Sequence, residues 1–463
     1  MIYQKELKNK AEYDLIVCGG GLAGVAAAIG GARKGLRCAI VEDRGYLGGV
    51  ATGAMVPHLL GGNYYIQDEK RFVHNIGGIF GELSRHMIES GGAVDPESND
   101  YSKKYNPHGW YLGLATGLVC DPEQLKLTLE QMCLEVGVSL YYYTRILDAC
   151  VTDERIDRVV VHNKSGIFTL SASYFVDATG DADVAFLAGC PTVMGREEDG
   201  LTVPVSLEMI MEGIDTKALE AYIYEHDEPR FRKLIAKLRE EGEWNFIYDI
   251  MISVQLTRPD VYMLNTIRQV GVNGIDGDAL TAATYKGREE NYRLAEVLRK
   301  HFPGFENARI RAIAPAVGVR ETRRIVGLTT VKNQDLIDEV VCDDVIGFTS
   351  YGWDMPDPKK PSLQPMHARK QEFVFTPIPF GCMVPRGVDN LICAGRCISS
   401  EREALGAFRV MAPCMAMGEA AGVAAALNKK DGRAFRKTDI ALLQATLRAD
   451  GCVLEHPQET KIR

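Results

Sequence analysis

The stretch from residue 14 to residue 49 constrains the fold more than any other part of the sequence. It opens with a short apolar run, residues 14–18, that stops at three consecutive glycines. The Ala-rich segment 22–34 follows and ends at Gly35, and glycine is the residue type that most often terminates a helix. A second apolar run, residues 37–42, closes the unit. This order predicts a strand, a glycine turn, a helix and a second strand.

The spacing of the glycines indicates what this unit binds. Gly19 permits a tight turn, Gly21 lets the backbone approach a pyrophosphate, and Gly24 allows the helix to pack closely on the strand. The helix N-terminus offers unpaired N–H groups and a positive dipole end to phosphates. Glu42, at the end of the second strand, has the chemistry to accept hydrogen bonds from both ribose hydroxyls of an adenosine. The complete pattern predicts a dinucleotide-binding site.

The residues after Glu42 distinguish between kinds of dinucleotide. The chain continues directly through Gly48, Gly49 and Thr52, without the second β–α repeat of an NAD dehydrogenase. A strand acid followed by a glycine pair and a threonine resembles the N-terminus of glutathione-reductase-like flavoproteins. The resemblance implies that the glycine pair covers the pyrophosphate of FAD and leads the chain toward the flavin ring.

Length and charge limit the classes of protein to consider. A chain of 463 residues exceeds one ordinary domain, so two or three domains are expected. No apolar run approaches the length of a membrane helix, and residues 1–10 are polar, so neither a signal peptide nor membrane insertion is expected. The formal net charge is −9 and there is no basic cluster, which argues against nucleic acid as a partner.

The twelve cysteines are scattered singly and form no C-x-x-C pair. This pattern argues against a zinc site or an iron–sulfur cluster, and no metal site is predicted. Cys393 and Cys397 have the spacing of a redox pair, but a buried thiol in an apolar strand is the favoured interpretation for Cys393. The inventory is typical of a reducing cytoplasm.

A second motif lies between residues 121 and 181. Asp121 and Pro122 open a predicted helix as N-cap and first residue. Short predicted strands follow, and a further strand begins at residue 174 and stops at the sequence Ala178-Thr179-Gly180-Asp181. The short strands are residues 138–143, 146–151, 158–163 and 167–171. In flavoproteins this order is a helix, a β-meander crossover and a strand whose Ala-Thr-Gly end lies beside FAD.

A third motif lies near the C-terminus. A predicted strand over residues 389–396 ends at Gly395, and a helix is predicted over residues 414–427. The resemblance implies that this strand and helix close the FAD site, with the helix N-terminus directed at the pyrimidine carbonyl of the flavin. Many relatives carry an aspartate directly after the strand-end glycine, whereas this chain has Arg396.

Together these motifs resemble the FAD-dependent oxidoreductases related to the flavoprotein subunit of fumarate reductase and succinate dehydrogenase. Residues 318–327 and 394–422 are similar to motifs of a bacterial branch of that family. The resemblance implies an α/β fold: a Rossmann-like FAD-binding domain, with a central parallel sheet and a β-meander crossover, interrupted by an α+β substrate or cap domain. The expected divisions are residues 1–190 (with 54–118 an irregular insertion near the flavin, containing a helix near residues 80–89), 191–375 for the cap, 376–430, and 431–463.

The same resemblance implies a set of cofactor contacts. FAD is expected to be held without a covalent bond. The predicted contacts are Gly19, Gly21, Leu22, Ala23, Gly24, Glu42, Asp43, Gly48, Gly49, Thr52, Ala178, Thr179, Gly180, Asp181, Gly395, Arg396, Arg409, Val410 and Met411.

Candidate catalytic residues are arginines, which relatives use to hold carboxylates, and groups able to move a proton. Arg409 is the first candidate because it directly precedes the helix that meets the flavin. The others are Arg320, Glu321, Arg323, His58 and His367. A structural alternative is that Arg320, Glu321 and Arg324 form an internal ion network. For each histidine, a hydrogen-bonded structural role is the alternative, and covalent flavin attachment at His58 stays open.

The function expected from the resemblance is hydride transfer between flavin N5 and a small organic substrate, with a carboxylate as one candidate group. NADH or NADPH is a candidate electron donor. An alternative is an electron-transfer subunit that depends on a redox partner protein, and a homo-oligomer is left open. RNA modification by a folate-dependent flavoprotein and a non-redox FAD-stabilised binding protein are less favoured alternatives.

Overall fold

The computed structural model describes residues 6–338, 340–362 and 375–457. The strands in these ranges are β1 (Asn9–Cys18), β2 (Cys38–Val41), β3 (His58–Leu59), β4 (Asn63–Ile66), β5 (Arg71–His74), β6 (Ala93–Val94), β7 (Leu118–Cys120), β8 (Ser139–Tyr141), β9 (Arg145–Thr152), β10 (Arg155–Asn163), β11 (Gly166–Asp177), β12 (Thr192–Met194), β13 (Val205–Ser206), β14 (Met209–Glu212), β15 (Ser253–Gln255), β16 (Val261–Leu264), β17 (Arg268–Gln269), β18 (Arg309–Ile313), β19 (Arg323–Ile325), β20 (Val345–Thr349), β21 (Thr376–Pro379) and β22 (Leu391–Cys393).

The α-helices in the same ranges are α1 (Leu22–Arg33), α2 (Val50–Gly53), α3 (Gly78–Glu89), α4 (Leu112–Ala115), α5 (Pro122–Glu135), α6 (Asp183–Leu187), α7 (Thr216–His226), α8 (Arg232–Glu240), α9 (Gly277–His301), α10 (Asn333–Ile337), α11 (Leu405–Phe408), α12 (Met411–Asp431) and α13 (Ile440–Ala449). Short 3-10 helices occur at Pro96–Ser98, Phe380–Met383 and Phe435–Lys437. Among the described helices, none combines the length and apolar character that a membrane crossing requires.

The largest sheet has seven strands in the order β8-β2-β1-β11-β10-β9, with β22 paired to β11. Strands β8, β2, β1, β11 and β22 are parallel, whereas β9 and β10 form an antiparallel meander beside β11. The last four residues of β1 are apolar and fully buried, as expected for a parallel strand covered on both faces. The carboxyl ends of the parallel strands meet at one edge, so the α/β class with a central parallel sheet is confirmed.

Strand β11 is longer than the sequence pattern predicts. Residues 167–171 and the strand from residue 174 were expected to be separate, but they form one continuous strand, Gly166–Asp177. Its first half pairs antiparallel with β10, and the whole of the polar junction stays paired with β1 on the other side. The prediction of two strands is therefore wrong, because pairing with β1 continues from Ser171 and Ala172 to Tyr174 and keeps the polar residues extended where the pairing with β10 ends.

Helices α1 and α12 approach each other unusually closely. A Cβ atom at Gly418 would overlap the carbonyl oxygen of Ala23, and a Cβ atom at Gly422 would overlap that of Ala27. Helix α12 also starts earlier than the predicted 414–427, so Pro413 lies at its third position. The small residues of α12 thus let two helix backbones touch and bury almost the whole helix.

The region between β12 and α10 contains a second sheet, β15-β16-β14-β18, with α7, α8 and α9 around its own apolar core. The sequence pattern of this region predicts helices over residues 217–225, 229–241 and 285–301. Helices α7, α8 and α9 confirm all three, with different ends. Helix α8 begins only at Arg232 because Phe231 has a left-handed φ of 57°. Helix α9 begins at Gly277 because the carboxylate of Asp276 caps it by accepting from the N–H of Ala279.

Other predicted elements are also present. The N-cap of α5 is confirmed, since the carboxylate of Asp121 accepts from the N–H groups of Glu123 and Gln124. Residues 54–118 are more ordered than expected, because β3, β6 and β7 form a small sheet and β4 pairs with β5 beside the predicted helix α3. The domain divisions at residues 190, 375 and 430 stay predictions.

The contact between α1 and α12 is testable with two helical glycines. Gly422→Ala should lower stability by about 1–3 kcal/mol, because the new methyl group must displace the backbone of α1. Gly81→Ala is the matched control: nothing lies within 4 Å of its Cβ position in α3, so this change should raise stability by about 0.5–1 kcal/mol. Thermal melts of both variants check this, and equal effects would contradict the packing argument.

Candidate functional site

A cleft with a volume of about 530 Å³ opens at the carboxyl edge of the main sheet. It is bounded by the ends of β1, β2, β11 and β22, and by the starts of α1 and α12. Residues that line it include Gly19, Gly21, Leu22, Ala23, Glu42, Asp43, Gly48, Gly49, Ala178, Thr179, Gly180, Asp181, Arg323, Gly395, Arg396, Arg409 and Met411. All three motifs found in the sequence therefore contribute to a single cleft.

The glycines of the first turn have different structural roles. Gly19 has a φ of 102°, and a Cβ atom there would overlap the backbone of Ala178. A Cβ atom at Gly24 would overlap the carbonyl oxygen of Gly19, so Gly24 serves helix–strand packing and does not line the cleft. Gly21 differs, since the nearest atom to its Cβ position is the Cα of Gly49 at 3.9 Å. The glycine at position 21 therefore leaves open space in the cleft.

The N-terminus of α1 faces this open space. Gly21 is the N-cap residue, and no side chain caps the helix. The N–H groups of the first turn, which begins with Leu22 and Ala23, are therefore available to an anion in the cleft. Across the cleft, Gly48 and Gly49 have φ values of 104° and 57°, so the glycine pair bends the backbone over Gly21 in a conformation that other residues rarely adopt.

Glu42 lies buried at the end of β2 and lines the cleft. Its two carboxylate oxygens accept hydrogen bonds from the N–H groups of Gly20 at 2.7 Å and Arg44 at 2.9 Å. Burial raises the pKa of the Glu42 carboxyl to about 7, with a further contribution from neighbouring Asp43. Each oxygen retains a second lone pair, so the geometry is compatible with the predicted ribose contact.

The middle of the cleft is formed by the turn after β11. The buried carboxylate of Asp177 accepts from the N–H of Thr179 at 3.1 Å and from that of Ala185 at 2.9 Å, which fixes the turn and the start of α6. Arg396 donates to the carboxylate of Asp181 at 2.6 Å and to the carbonyl of Val319 at 2.7 Å. Where relatives have an aspartate after the strand, this chain thus has an arginine paired with an aspartate from the neighbouring turn.

Arg409 lines the cleft directly before α12 and is 10% exposed. Its guanidinium donates to the carboxylate of Asp354 at 2.9 Å. The Nε of Arg409 is buried and has no partner among the residues that the structure describes. Met411, the first residue of α12, lies beside it in the lining. A fixed cation and a helix N-terminus therefore meet at this end of the cleft.

Three predicted cofactor contacts lie outside the lining. Besides Gly24, these are Thr52 and Val410. The hydroxyl of Thr52 donates to the carbonyl of Leu47 at 2.7 Å, and the side chain is fully buried, so it shapes the loop that carries the glycine pair. Val410 is the N-cap residue of α12 and is also buried.

The candidate catalytic arginines separate into different surroundings. Arg323 lines the cleft, where it donates to the carbonyl of Asp181 at 2.8 Å and forms an ion pair with Asp183. Burial raises the pKa of the Asp183 carboxyl to about 6. Arg320 does not line the cleft; it donates to Pro204 and Asn265, at 3.1 Å in each case.

Glu321 lies in a buried ion network away from the cleft lining. Its carboxylate binds Arg324 at 2.8 Å and Arg402 at 3.1 Å, and also accepts from the N–H of Val203 at 2.8 Å. These contacts correspond to the internal ion network considered as the structural alternative, except that Arg402, rather than Arg320, completes it. The network connects Arg402, in the segment between β22 and α11, to Arg324 of β19.

Of the two histidine candidates, His58 lies outside the cleft lining. His58 is buried in β3, and its Nε2 is 2.8 Å from the carbonyl oxygen of Leu114. Burial lowers the pKa of His58 to about 4, so its imidazole is neutral at physiological pH. His367 lies outside the described residues.

The lining also contains stretches that the sequence pattern does not assign, and two of these come from residues 274–319. Gly274, Ile275 and Gly277 come from the start of α9, and Val317 and Val319 come from the loop after β18. The second stretch overlaps the arginine-rich motif at residues 318–327. The motif drew attention to its charged residues, and nothing in the sequence pattern indicated that these valines line a cleft. The first stretch has no motif, because only the tertiary fold brings α9 to the cleft.

Comparison with known proteins gives a family match along most of the chain. The family described as FAD dependent oxidoreductase matches residues 14–447. Mitochondrial dihydrolipoyl dehydrogenase of Schizosaccharomyces pombe (strain 972 / ATCC 24843) is 31% identical over 133 residues, covering 27% of this chain and 26% of that protein. The chain therefore matches only about a quarter of this relative's length.

Solved structures give similarity at the level of the whole chain but at low identity. The p-nitrophenol 4-monooxygenase PnpA of Pseudomonas putida DLL-E4 has a TM-score of 0.45 at 10% identity, covering 97% of this chain and 92% of that one. A geranylgeranyl bacteriochlorophyll reductase-like protein of Thermoplasma acidophilum has a TM-score of 0.43 at 11% identity, covering 95% and 83%.

The family match extends from the first strand of the glycine motif into the final helix α13. It includes every segment that lines the cleft. The expectation of an FAD-dependent oxidoreductase is therefore confirmed, and the chain belongs to the FAD dependent oxidoreductase family.

Proposed function

We propose that the chain binds FAD without a covalent bond in this cleft and transfers a hydride between flavin N5 and a small organic substrate. The observation that carries the proposal is the arrangement of the cleft. In one part of the cleft, the N-terminus of α1 has no side-chain cap and open space surrounds the Cβ position of Gly21. In another part, Arg409 precedes the N-terminus of α12. The first is suited to a pyrophosphate and the second to the redox-active ring.

Different residues of the cleft would bind different parts of FAD. Glu42 would hold the adenosine ribose, and the N–H groups at the start of α1, with Gly48 and Gly49 opposite, would hold the pyrophosphate. The Asp181–Arg396 pair would offer polar groups to the ribityl chain. When bound, FAD supplies the two-electron chemistry that the protein itself lacks.

Arg409 is the residue proposed to face the reacting centre. Asp354 holds one side of its guanidinium, which fixes the orientation of the remaining N–H groups. A cation at this point stabilises negative charge on the flavin or on a substrate carboxylate, and the N-terminus of α12 adds to the same field. The Arg409 guanidinium and the N-terminus of α12 are both held in place before the reaction, so little reorganisation is needed when charge develops.

Non-covalent binding is supported by the surroundings of His58. The imidazole is committed to the Leu114 carbonyl and is fully enclosed by neighbouring residues. A Cβ atom at Gly117 would overlap this ring, so Gly117 packs against its edge. Attachment to a flavin would require the ring to leave this pocket. Denaturation with acid should therefore release all of the yellow colour into the supernatant.

An anaerobic absorption spectrum tests the proposal. The purified protein should show flavin bands, and addition of NADH or NADPH should bleach them if a nicotinamide is the hydride donor. Bands that resist both nicotinamides would favour another donor substrate or the alternative of a redox partner protein. A protein that shows no flavin bands after reconstitution with FAD would contradict the proposed function.

Gly21→Glu should abolish FAD retention. The new side chain extends into open space, so the fold should survive, but its bulk and negative charge occupy the position proposed for the pyrophosphate. Gly113→Glu is the matched control, because Gly113 is exposed, has open space around its Cβ position and lies outside the cleft lining. The ratio of flavin to protein absorbance measures the outcome. A Gly21→Glu protein that purifies yellow would contradict the site assignment.

Arg409→Ala should retain FAD while lowering kcat/KM by about a hundredfold or more, since it removes a preorganised charge at the reacting centre. The rate is measured with an acceptor that reoxidises the reduced flavin. Arg288→Ala, a change at an exposed arginine of α9, is the control and should leave the rate unaltered. Equal kinetic constants for the two variants would show that Arg409 does not take part in the reaction.

A further inference from the structure

The two sides of the cofactor cleft differ in chemistry. The side formed by the main sheet and by the starts of α1 and α12 carries charged groups, among them Glu42, Asp181, Arg396 and Arg409. The region of the second sheet supplies the other side through residues 270–319, all of which the structure describes. Within that range no residue that lines the cleft is charged. We call its side chains the uncharged wall: Ile275, Leu280, Thr284, Ala316, Val317 and Val319.

The absence of charge from this wall is not a general property of the helix that supplies it. Charged residues are frequent in α9, including Asp278 and Lys286 in its first half, but they lie outside the cleft lining. The lining residues Leu280 and Thr284 are four positions apart and therefore share one face of the helix. The carboxylate of Asp276 accepts from the N–H of a residue in the first turn as the helix cap. Helix α9 thus directs an uncharged face at the cleft.

The uncharged wall also lacks a free side-chain donor. Its one hydroxyl, that of Thr284, donates to the carbonyl of Leu280 at 2.7 Å within the helix. Apolar side chains meanwhile stay open to the cleft: Ile275 is 40% exposed, and Val50 of α2, another lining residue, is 38% exposed. Apolar surface that is concave and open to solvent is typical of a ligand site, because a ligand removes it from water.

Contacts connect the uncharged wall to the N-terminus of α12. Cγ1 of Val319 lies 2.6 Å from the Cβ position of Gly274, so the two segments of the wall touch. The carbonyl of Val319 accepts from Arg396 at 2.7 Å. The Cβ position of the preceding residue, Gly395, lies 4.0 Å from Sγ of Cys414, the fourth residue of α12. The wall therefore adjoins the end of the cleft where the flavin ring is proposed to lie.

We propose that the substrate has a hydrocarbon chain or ring that packs on the uncharged wall, beside the flavin, and that Leu280 and Val319 determine specificity for it. This proposal rests on the proposed function and assigns a substrate class to the same site. A hydrocarbon portion gains free energy by leaving water for this wall. A hydroxyl or a charge on the same portion would lose its water without gaining a side-chain donor, so the wall selects against polar substrates.

Titration of the FAD-loaded protein with primary alcohols tests the assignment. The probes are butanol, hexanol and octanol, and the change in the flavin absorbance spectrum reports binding beside the ring. Affinity should rise by about fourfold for each added methylene group. Hexane-1,6-diol should bind about tenfold more weakly than hexanol, because its second hydroxyl meets the uncharged wall. Equal affinities along the series, or equal affinities of hexanol and the diol, would overturn the proposal.

Leu280→Asn replaces an apolar group of the wall with an amide of similar size. It should weaken hexanol binding by about tenfold and narrow the difference between hexanol and the diol, because the amide offers the second hydroxyl a partner. Leu442→Asn is the matched control: Leu442 is a 48% exposed leucine of α13, outside the cleft lining. Both variants make the same change of helix propensity, and the control should bind hexanol as the wild-type protein does.

The ratio of flavin to protein absorbance separates a substrate wall from a wall that holds the cofactor. Leu280→Asn should keep its FAD, and a variant that folds but loses FAD would overturn the proposal, as would unchanged hexanol affinity. Val319→Thr repeats both measurements with a side chain of the same shape, and it should weaken hexanol binding by about threefold or more at full FAD content.

These titrations require bound FAD but no turnover, so two failures are distinguishable. A protein that prefers longer alcohols but whose flavin is never reduced would contradict hydride transfer alone. A reducible protein with equal affinities for all three alcohols would contradict this proposal alone.

Discussion

The close contact between α1 and α12 is the constraint on which the site depends. Gly418 meets the backbone of Ala23, and Gly422 meets that of Ala27, so the contacts run in the same order along both helices. The two helices therefore start at the same edge of the sheet, one after β1 and the other after β22. Larger residues would separate the helices and move their N-termini apart. The packing of small residues thus determines the geometry of the cleft.

The sequence predicted the parts of the site that are local in the chain. The turn through Gly19 and Gly21, the acid Glu42 and the Thr179–Gly180 turn each lie at a strand end, where hydrophobic pattern and glycine spacing coincide. The same pattern predicted α5 and the helices of the second sheet. It failed for β11, where neighbouring strands, rather than the polar residues themselves, determine the conformation.

The long-range contacts could not be predicted in the same way. Nothing in the sequence indicates that Arg396 pairs with Asp181 or that Glu321 binds Arg402, because these residues are separated by long stretches of chain. Arg230 is a stronger example, since it lies in a charge-rich segment that is typical of a solvated surface. Its burial is visible only once the fold places Tyr111 and Tyr351 around it.

The charge distribution around the cleft gives these separate contacts a common interpretation. Arginines 320, 323, 324, 396 and 402 all pair with acids or carbonyls of the described chain, and they hold its elements together. Arg409 is only partly satisfied by Asp354, because its buried Nε has no partner among the described residues. A buried donor without a partner lowers stability, so the unpaired Nε of Arg409 does not serve the fold. This difference separates the arginines that hold the fold together from Arg409, which we propose faces the reacting centre.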